Sequence, residues 1–327
     1  MADRVLVCAR TVQALEGAHK DVLKQAGFEI VPSKLDRHLT ADELAERLPG
    51  MVAVIVGLDE VSQKALDGAD ILKVISMNGV GLDRIDVEAA TDRGIVVTHT
   101  PGTNADSVAD HTLALILAQA RLIPHHDRNV RSGGWTRIAG RELKGRVLGI
   151  VGVGHIGKAV ALRALAFGMR VQAYDPFPDR AFCSTHGIDV VDLKDILATS
   201  DVLSLHCPVT PDTENLINAS SIATMKRGAV LINTARGELV DENALIDALA
   251  SGPLSGAGLD VFTTEPPRES PLWRMEQVVL SPHLGGNTRE AVLRTAYQSA
   301  LNVVAVVRGG KADRVVNPEV LREIRKD

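Results

Sequence analysis

Short apolar runs rich in β-branched residues alternate along the chain with longer stretches of helical periodicity. The runs at 5–7, 52–56, 73–76 and 95–97 are too short for helices and show no polar alternation, as expected of strands buried on both faces. Between them, Thr40 followed by Glu43 forms a capping-box pattern opening a helix over 41–48. Asp86 stands where it can cap a helix over 87–93, with Gly94 at the left-handed stop. A long helical pattern over 106–122 leads to a second series, with strand candidates at 147–151, 171–174, 202–206, 229–233, 256–260 and 278–281. Helical segments such as 156–167 and 242–249 separate them, and a last one covers 288–308. Strands alternating with helices predict an α/β protein with parallel sheets, and the second series has strands enough for a complete doubly wound domain.

A length of 327 residues, at roughly 150 per domain, agrees with about two domains. Hydrophobic residues make up 45% and charged residues 24%, an ordinary globular balance with material for a core. Lys and Arg number 36 against 41 Asp and Glu, so the net charge of −5 offers no footprint for nucleic acid or an anionic membrane. With Phe 5, Trp 2 and Tyr 2, a base-stacking platform is not expected either. The best apolar run, 112–120, is far short of the ~20 residues that span a bilayer. Asp3 and Arg4 lead into the first strand without the shape of a signal peptide. Cys8, Cys183 and Cys207 are scattered, so the expectation is a reducing, cytoplasmic setting without disulfides. His125 and His126 lie about 100° apart on a helix and cannot chelate one ion, and no H-E-x-x-H spacing occurs. No metal is expected.

The most informative local pattern is Gly152-Val153-Gly154-His155-Ile156-Gly157, between the strand at 147–151 and the helix that follows. Gly152 permits a tight turn, Gly154 lets bare backbone approach a pyrophosphate, and Gly157 lets the helix pack on the strand. The helix N-terminus then stabilises phosphate charge. A glycine-rich turn without a ligand is the plain alternative. Asp175, 18 residues past Gly157 at the end of the next strand, stands where a carboxylate meets a ribose hydroxyl. That carboxylate favours NAD and repels the 2′-phosphate of NADP; Pro176 and Phe177 follow it, with Arg180 nearby. The near-match to a phosphate loop fails at Ala159, which follows Lys158 and has no hydroxyl for magnesium.

Ligands of open α/β sheets sit beyond the carboxyl ends of the strands. After the strand at 229–233 comes Arg236, after 256–260 comes Glu265, and after 278–281 comes His283. Singly these could be a surface arginine, a solvated loop carboxylate and a structural histidine. Together, at three strand ends of a sheet that carries a dinucleotide loop, they converge on the place of a nicotinamide and are much harder to dismiss. His206, at another strand end, fits cleft lining or core packing equally well.

The constellation resembles the D-isomer-specific 2-hydroxyacid dehydrogenases. The resemblance rests on 151–157, NTARGELVDE (233–242), GLDVFTTEPP (258–267), SPHLGGNT (281–288), NGVGLDRID (78–86) and TPGTNADSVAD (100–110), and it spans essentially the whole chain. It implies two doubly wound parallel-sheet domains. A substrate-binding domain, 1–101 plus 287–327, receives a Rossmann NAD-binding domain, 102–286, as an insertion. It implies that Arg236 grips the substrate carboxylate and polarises the 2-oxo group, as a guanidinium fork suits. Asn78, Val80 and Gly81 join Arg236 in substrate binding, the backbone N–H groups around Val80 and Gly81 holding the other carboxylate oxygen. His283 exchanges a proton with the ketone or alcohol, and Glu265 fixes its tautomer. Around NAD the resemblance adds Val108, His155, Ile156, Cys207, Pro208, Thr234, Ala235, His283, Gly285 and Gly286, with Asp260 meeting the carboxamide.

The pattern is closest to phosphoglycerate dehydrogenases, with two departures. The resemblance places phosphate-binding arginines where this chain has Met77 and Asp92, although Arg93 adjoins the latter. Losing two charge-assisted contacts of ~1.5–3 kcal/mol each costs orders of magnitude in affinity. The expectation is therefore a smaller or less charged 2-hydroxy acid, with Met77 lining an apolar pocket. D-3-phosphoglycerate dehydrogenation is the alternative. NAD-sensing corepressors keep the same Arg, Glu and His, so a non-enzymatic binding protein is a third reading, although no basic partner-binding segment occurs. Residues 124–140, which contain Trp135, correspond to a dimer arm in the family, so a homodimer is expected; a buried core Trp135 is the other reading.

Overall fold

Parallel pairing joins the strands into two separate sheets. The computed structural model describes residues 2–324, which divide into two units: residues up to Asn104 together with those from Asn287 onward, and Ala105–Gly286. In the first unit β1 (Asp3–Val7), β2 (Phe28–Pro32), β3 (Ala53–Val56), β4 (Val74–Met77) and β5 (Val96–Thr98) lie in the order β2-β1-β3-β4-β5. All of β3 is buried: Val54 and Val56 enter one hydrophobic cluster, Ala53 and Ile55 another. A strand's side chains alternate sides, so apolar material on both faces requires this unbroken apolar run. The Thr40–Glu43 capping box opens Ala41–Ala45, and the Asp86 side chain accepts from Ala89 N–H to open Val87–Asp92. Gly94 adopts φ +67°, as its place after that helix requires. Helix Arg289–Val307 returns the chain to this unit and packs Ala296, Ala300 and Val303 with Val5 and Val7.

In the second unit, β6 (Val147–Val151), β7 (Arg170–Tyr174), β8 (Asp189–Val190), β9 (Val202–Leu205), β10 (Val230–Asn233), β11 (Gly256–Leu259) and β12 (Val278–Leu280) form the order β12-β11-β10-β9-β6-β7-β8. From β6 the chain builds outward through β7 and β8, then returns to β9 on the other side of β6. The gap between the carboxyl ends of β6 and β9 is thus the switch point where a Rossmann-type sheet takes its ligand. Apolar clusters cover both faces, with Leu148 and Ile150 in one and Val151 in the other.

Three features depart from the sequence reading. β2 and β8 were not foreseen: both are edge strands, β2 interrupting its apolar residues with exposed Glu29 and β8 having only two residues. The helix expected over 106–122 is present as Ala105–Ala120, and the unforeseen element is a second helix directly after it. Ala105–Ala120 ends, Leu122 turns left-handed at φ +53°, and a separate helix, Ile123–Arg131, begins with Pro124 in its first turn. That second helix buries none of its residues, whereas Ala105–Ala120 buries half of its length. Among the described residues no helix is long and apolar enough to cross a membrane.

Candidate active site

The glycine turn lies at the switch point of the second sheet. Gly152 has φ +95°, and a Cβ there would stand 2.7 Å from the His206 carbonyl and the Cys207 nitrogen. The end of β6 is therefore pressed against the end of β9, which only glycine allows. A Cβ on Gly157 would collide with the Gly152 carbonyl, so helix His155–Ala166 packs close to the turn. Gly154 differs: a Cβ there would meet nothing within 4 Å. No side chain caps this helix, so its first amides are left without a capping acceptor. The arrangement suits a pyrophosphate. Asp175, just past β7, accepts from Val153 N–H at 2.8 Å through one oxygen and from Phe177 N–H at 2.8 Å through the other. Both bonds hold the carboxylate in one orientation beside the turn.

Beyond β9, His206 bonds the Ser204 hydroxyl at 2.9 Å, and burial lowers its pKa to about 3, so the ring is neutral near neutral pH. Cys207 and Pro208 follow; burial pushes the Cys207 thiol up to about 11, which makes it no thiolate nucleophile. Beyond β10, buried Thr234 meets the Thr112 hydroxyl at 2.9 Å, and Thr112 donates to the Val108 carbonyl at 2.8 Å. The helix carrying Val108 is thereby fixed against the turn. Asn233 shapes that turn, accepting from Ala235 N–H at 3.0 Å and donating to the Arg236 carbonyl at 2.7 Å. Arg236 donates to the Ala235 carbonyl at 2.7 Å. A Cβ on Gly237 would collide with the Phe262–Thr263 backbone, so the Arg236 turn lies directly on the loop that carries Glu265.

On that loop Glu265 accepts from Phe262 N–H at 3.1 Å, and its other oxygen lies 2.6 Å from His283 Nδ1. Burial pushes the Glu265 carboxyl up, but the bond from His283, the charges of His283 and Arg236, and the Phe262 N–H outweigh it, leaving the carboxyl below its ordinary value. An ionised carboxylate only accepts, so Nδ1 carries the proton and Nε2 is left for chemistry. The sign follows: a carboxyl held low adds stability above its unfolded value, and that contribution is lost as pH falls through the lowered folded value.

His283 itself is left-handed, at φ +49°, a conformation that a non-glycine residue keeps only when its surroundings impose it. Asp260, 1% exposed at the end of β11, imposes it here. Its carbonyl accepts from His283 N–H at 2.7 Å, one carboxylate oxygen from Ser281 Oγ at 2.6 Å and Leu284 N–H at 3.0 Å, and the other from Gly285 N–H at 2.8 Å. His111 Nε2 lies 2.8 Å from Ser281 Oγ and 3.3 Å from Asp260 Oδ1. Burial raises the Asp260 carboxyl, but His111, Ser281 and the two amides bring it below its ordinary value. His111 and Ser281 escaped the sequence reading. The available signal was that His111 lies one helical turn from Val108 and Ser281 two residues before His283. The loop continues through Gly285 into Gly286.

Arg236, Glu265, His283 and the candidate cofactor residues thus belong to one unit, at the carboxyl edge of one sheet. Asn78, Val80 and Gly81 belong to the other unit, in the bend after β4. Met77 is 6% exposed and packed in the core with Leu6 and Ile75, its methyl lying against Gly79. Arg93 is paired with Asp67 at 2.8 Å. A cavity of about 210 Å³ bounded by Ile116, Arg141, Arg146, Val202, Val230 and Ser255 opens at the amino edge of the second sheet and shares no residue with this site.

Comparison with known proteins adds independent information. Residues 113–285 match the family profile described as D-isomer specific 2-hydroxyacid dehydrogenase, NAD binding domain. The D-3-phosphoglycerate dehydrogenase of Mycobacterium tuberculosis is 43% identical over 279 residues, covering 84% of this chain and 53% of its own. The chain thus spans about half the length of the curated relatives it matches. Among solved structures, the TT0316 protein from Thermus thermophilus superposes with a TM-score of 0.87 at 41% identity, covering 96% of this chain and 99% of its own. The D-lactate dehydrogenase from Aquifex aeolicus, complexed with NAD and lactic acid, superposes with a TM-score of 0.83 at 29% identity over 96% and 99%.

Proposed function

Because the chain belongs to the D-isomer-specific 2-hydroxyacid dehydrogenases, we propose that it interconverts a D-2-hydroxy acid and its 2-oxo acid with NAD, His283 serving as general acid/base. The observation that carries the reading is the 2.6 Å contact between His283 and Glu265. NAD supplies the hydride acceptor or donor, and the open ground at Gly154 together with the fixed Asp175 carboxylate fits its pyrophosphate and ribose. In reduction, His283 Nε2 gives its proton to the 2-oxo oxygen; in oxidation it takes the hydroxyl proton back. Glu265 keeps Nδ1 protonated and stabilises the imidazolium. Arg236 holds the carboxylate and polarises the ketone, and the amides of Val80 and Gly81 hold the remaining carboxylate oxygen.

The substrate in this reading is a small 2-oxo acid without a phosphate. Support comes from Met77, buried where an arginine would be needed, and from Arg93, engaged with Asp67. D-3-phosphoglycerate is the second reading, favoured by the 43% identity to the Mycobacterium tuberculosis enzyme. Michaelis constants for small 2-oxo acids and for 3-phosphoglycerate, with each nicotinamide cofactor, separate them: the small acids and NADH should be preferred. A clear preference for the phosphorylated acid overturns the first reading, and no turnover of any acid favours an NAD-sensing binding protein. Asp175→Ala should erode the preference for NADH over NADPH about tenfold or more by removing a like-charge clash.

The same reading makes the protein a homodimer in a reducing cytoplasm. Cys8, Cys183 and Cys207 are unpaired. Trp135 is 74% exposed, not buried in the core, and Ile123, Val130 and Ile138 are exposed in the same stretch, an apolar surface that calls for a cover. Sedimentation should show a dimer in the wild type and a weaker one in Trp135→Ser; a monomeric wild type sinks this part of the reading.

A further inference from the structure

Resting on the dehydrogenase reading, one feature of the first unit goes beyond it. After β4 the bend at Gly79-Val80-Gly81 has two successive carbonyls held from one side. The Gly79 carbonyl accepts from Thr100 N–H at 2.8 Å and from Thr100 Oγ1 at 2.9 Å. The Val80 carbonyl lies 3.1 Å from His99 Nδ1. A carbonyl cannot donate, so Nδ1 carries the proton and the tautomer is set. His99 is anchored in turn, its own carbonyl accepting from Asn302 Nδ2 at 3.3 Å.

The peptide group is planar and trans, so each N–H points opposite to the carbonyl of the same unit. With the Gly79 carbonyl turned toward Thr100, the Val80 N–H points away from it. With the Val80 carbonyl turned toward His99, the Gly81 N–H does the same. Among the described residues neither N–H has an intramolecular acceptor. Two adjacent donors presented on one side are the backbone arrangement that receives an anion.

We infer that His99, with Thr100, is a positioning residue that fixes the Val80 and Gly81 amides for the substrate carboxylate. It acts through the peptide planes and does not touch the substrate. Losing it lets the Val80–Gly81 plane rotate, which weakens binding of the carboxylate while leaving proton transfer at His283 intact.

The test uses the 327-residue chain and three variants, His99→Ala, His99→Asn and Thr100→Val. Steady-state kinetics give KM for the 2-oxo acid that the wild type reduces. Quenching of NADH fluorescence gives the affinity of oxamate, a non-reacting carboxylate analogue, for the NADH-bound protein. His99→Ala should raise both KM and the oxamate Kd about tenfold to a hundredfold, with kcat and NADH affinity unchanged. His99→Asn, whose side-chain amide can donate to the same carbonyl, should restore most of the loss. Thr100→Val, which keeps the backbone donor to Gly79, should fall between. Turnover with KM and oxamate binding unmoved in His99→Ala overturns the positioning role and leaves the dehydrogenase reading standing. Oxamate binding weakened as expected, without turnover of any acid in the wild type, does the reverse. A uniform loss of kcat, NADH affinity and thermal stability that asparagine does not rescue marks a structural residue and overturns the inference. A wild type that neither turns over any acid nor binds oxamate overturns both.

Discussion

His283→Ala should abolish most turnover while leaving NADH binding nearly intact. A positioned general acid contributes ~10²–10⁴-fold, and kcat should fall by that order. The structure makes this a strong test because the histidine is held at several points: its Nδ1 by Glu265, its amide by the Asp260 carbonyl, and the residues after it by the Asp260 carboxylate. Alanine removes the imidazole but none of the backbone bonds, so the loop should keep its path. The measurement is kcat in the wild type and variant beside an NADH titration by fluorescence. A variant with kcat near that of the wild type would dismiss His283 as the acid. Loss of NADH binding in parallel would indicate a collapsed loop instead.

The second large effect is expected at Arg236. A guanidinium fork on a carboxylate makes two charge-assisted bonds of ~1.5–3 kcal/mol each, so Arg236→Leu should lower kcat/KM by ~10²–10⁴-fold. Arg236→Lys keeps the charge but not the planar fork, and should recover only a minor part. The proposed role of Arg236 includes polarising the 2-oxo group, so kcat should fall together with the rise in KM. Gly237 provides an internal control. Its missing Cβ lets the Arg236 turn lie on the Glu265 loop, so Gly237→Ala should disturb Glu265 and Arg236 together, whereas Arg236→Leu leaves the His283–Glu265 contact in place. Full activity in Arg236→Leu would remove this residue from the site.

Much of the architecture is legible along the chain because it is locally encoded. Runs of β-branched residues without alternation report strands covered on both faces, and cap residues such as Thr40 and Asp86 set helix starts through bonds to amides only three positions away. The glycine turn is legible because its glycines fall within six residues, although the close approach that requires Gly152 comes from His206 and Cys207 beyond β9. Weakly apolar edge strands escaped: β2 carries exposed Glu29, and β8 is recruited by its neighbour β7. Helix Ile123–Arg131 escaped too, because it buries none of its residues and so carries no apolar stripe for periodicity to report.

The sequence by itself determined the fold class, the dinucleotide turn and the kinds of side chain available for chemistry, since each depends on residues a few positions apart. Only the tertiary structure decided how residues far apart in the chain constrain one another. Glu265 meets His283 across 18 residues, Asp260 with Ser281 and His111 holds a left-handed histidine, and His99 turns a peptide plane 19 residues away. Those relations depend on strand order and on which hydrogen-bonding groups burial forces to find partners. Met77 makes the same point: its identity was plain in the sequence, but its burial against Leu6 and Ile75 was set by packing.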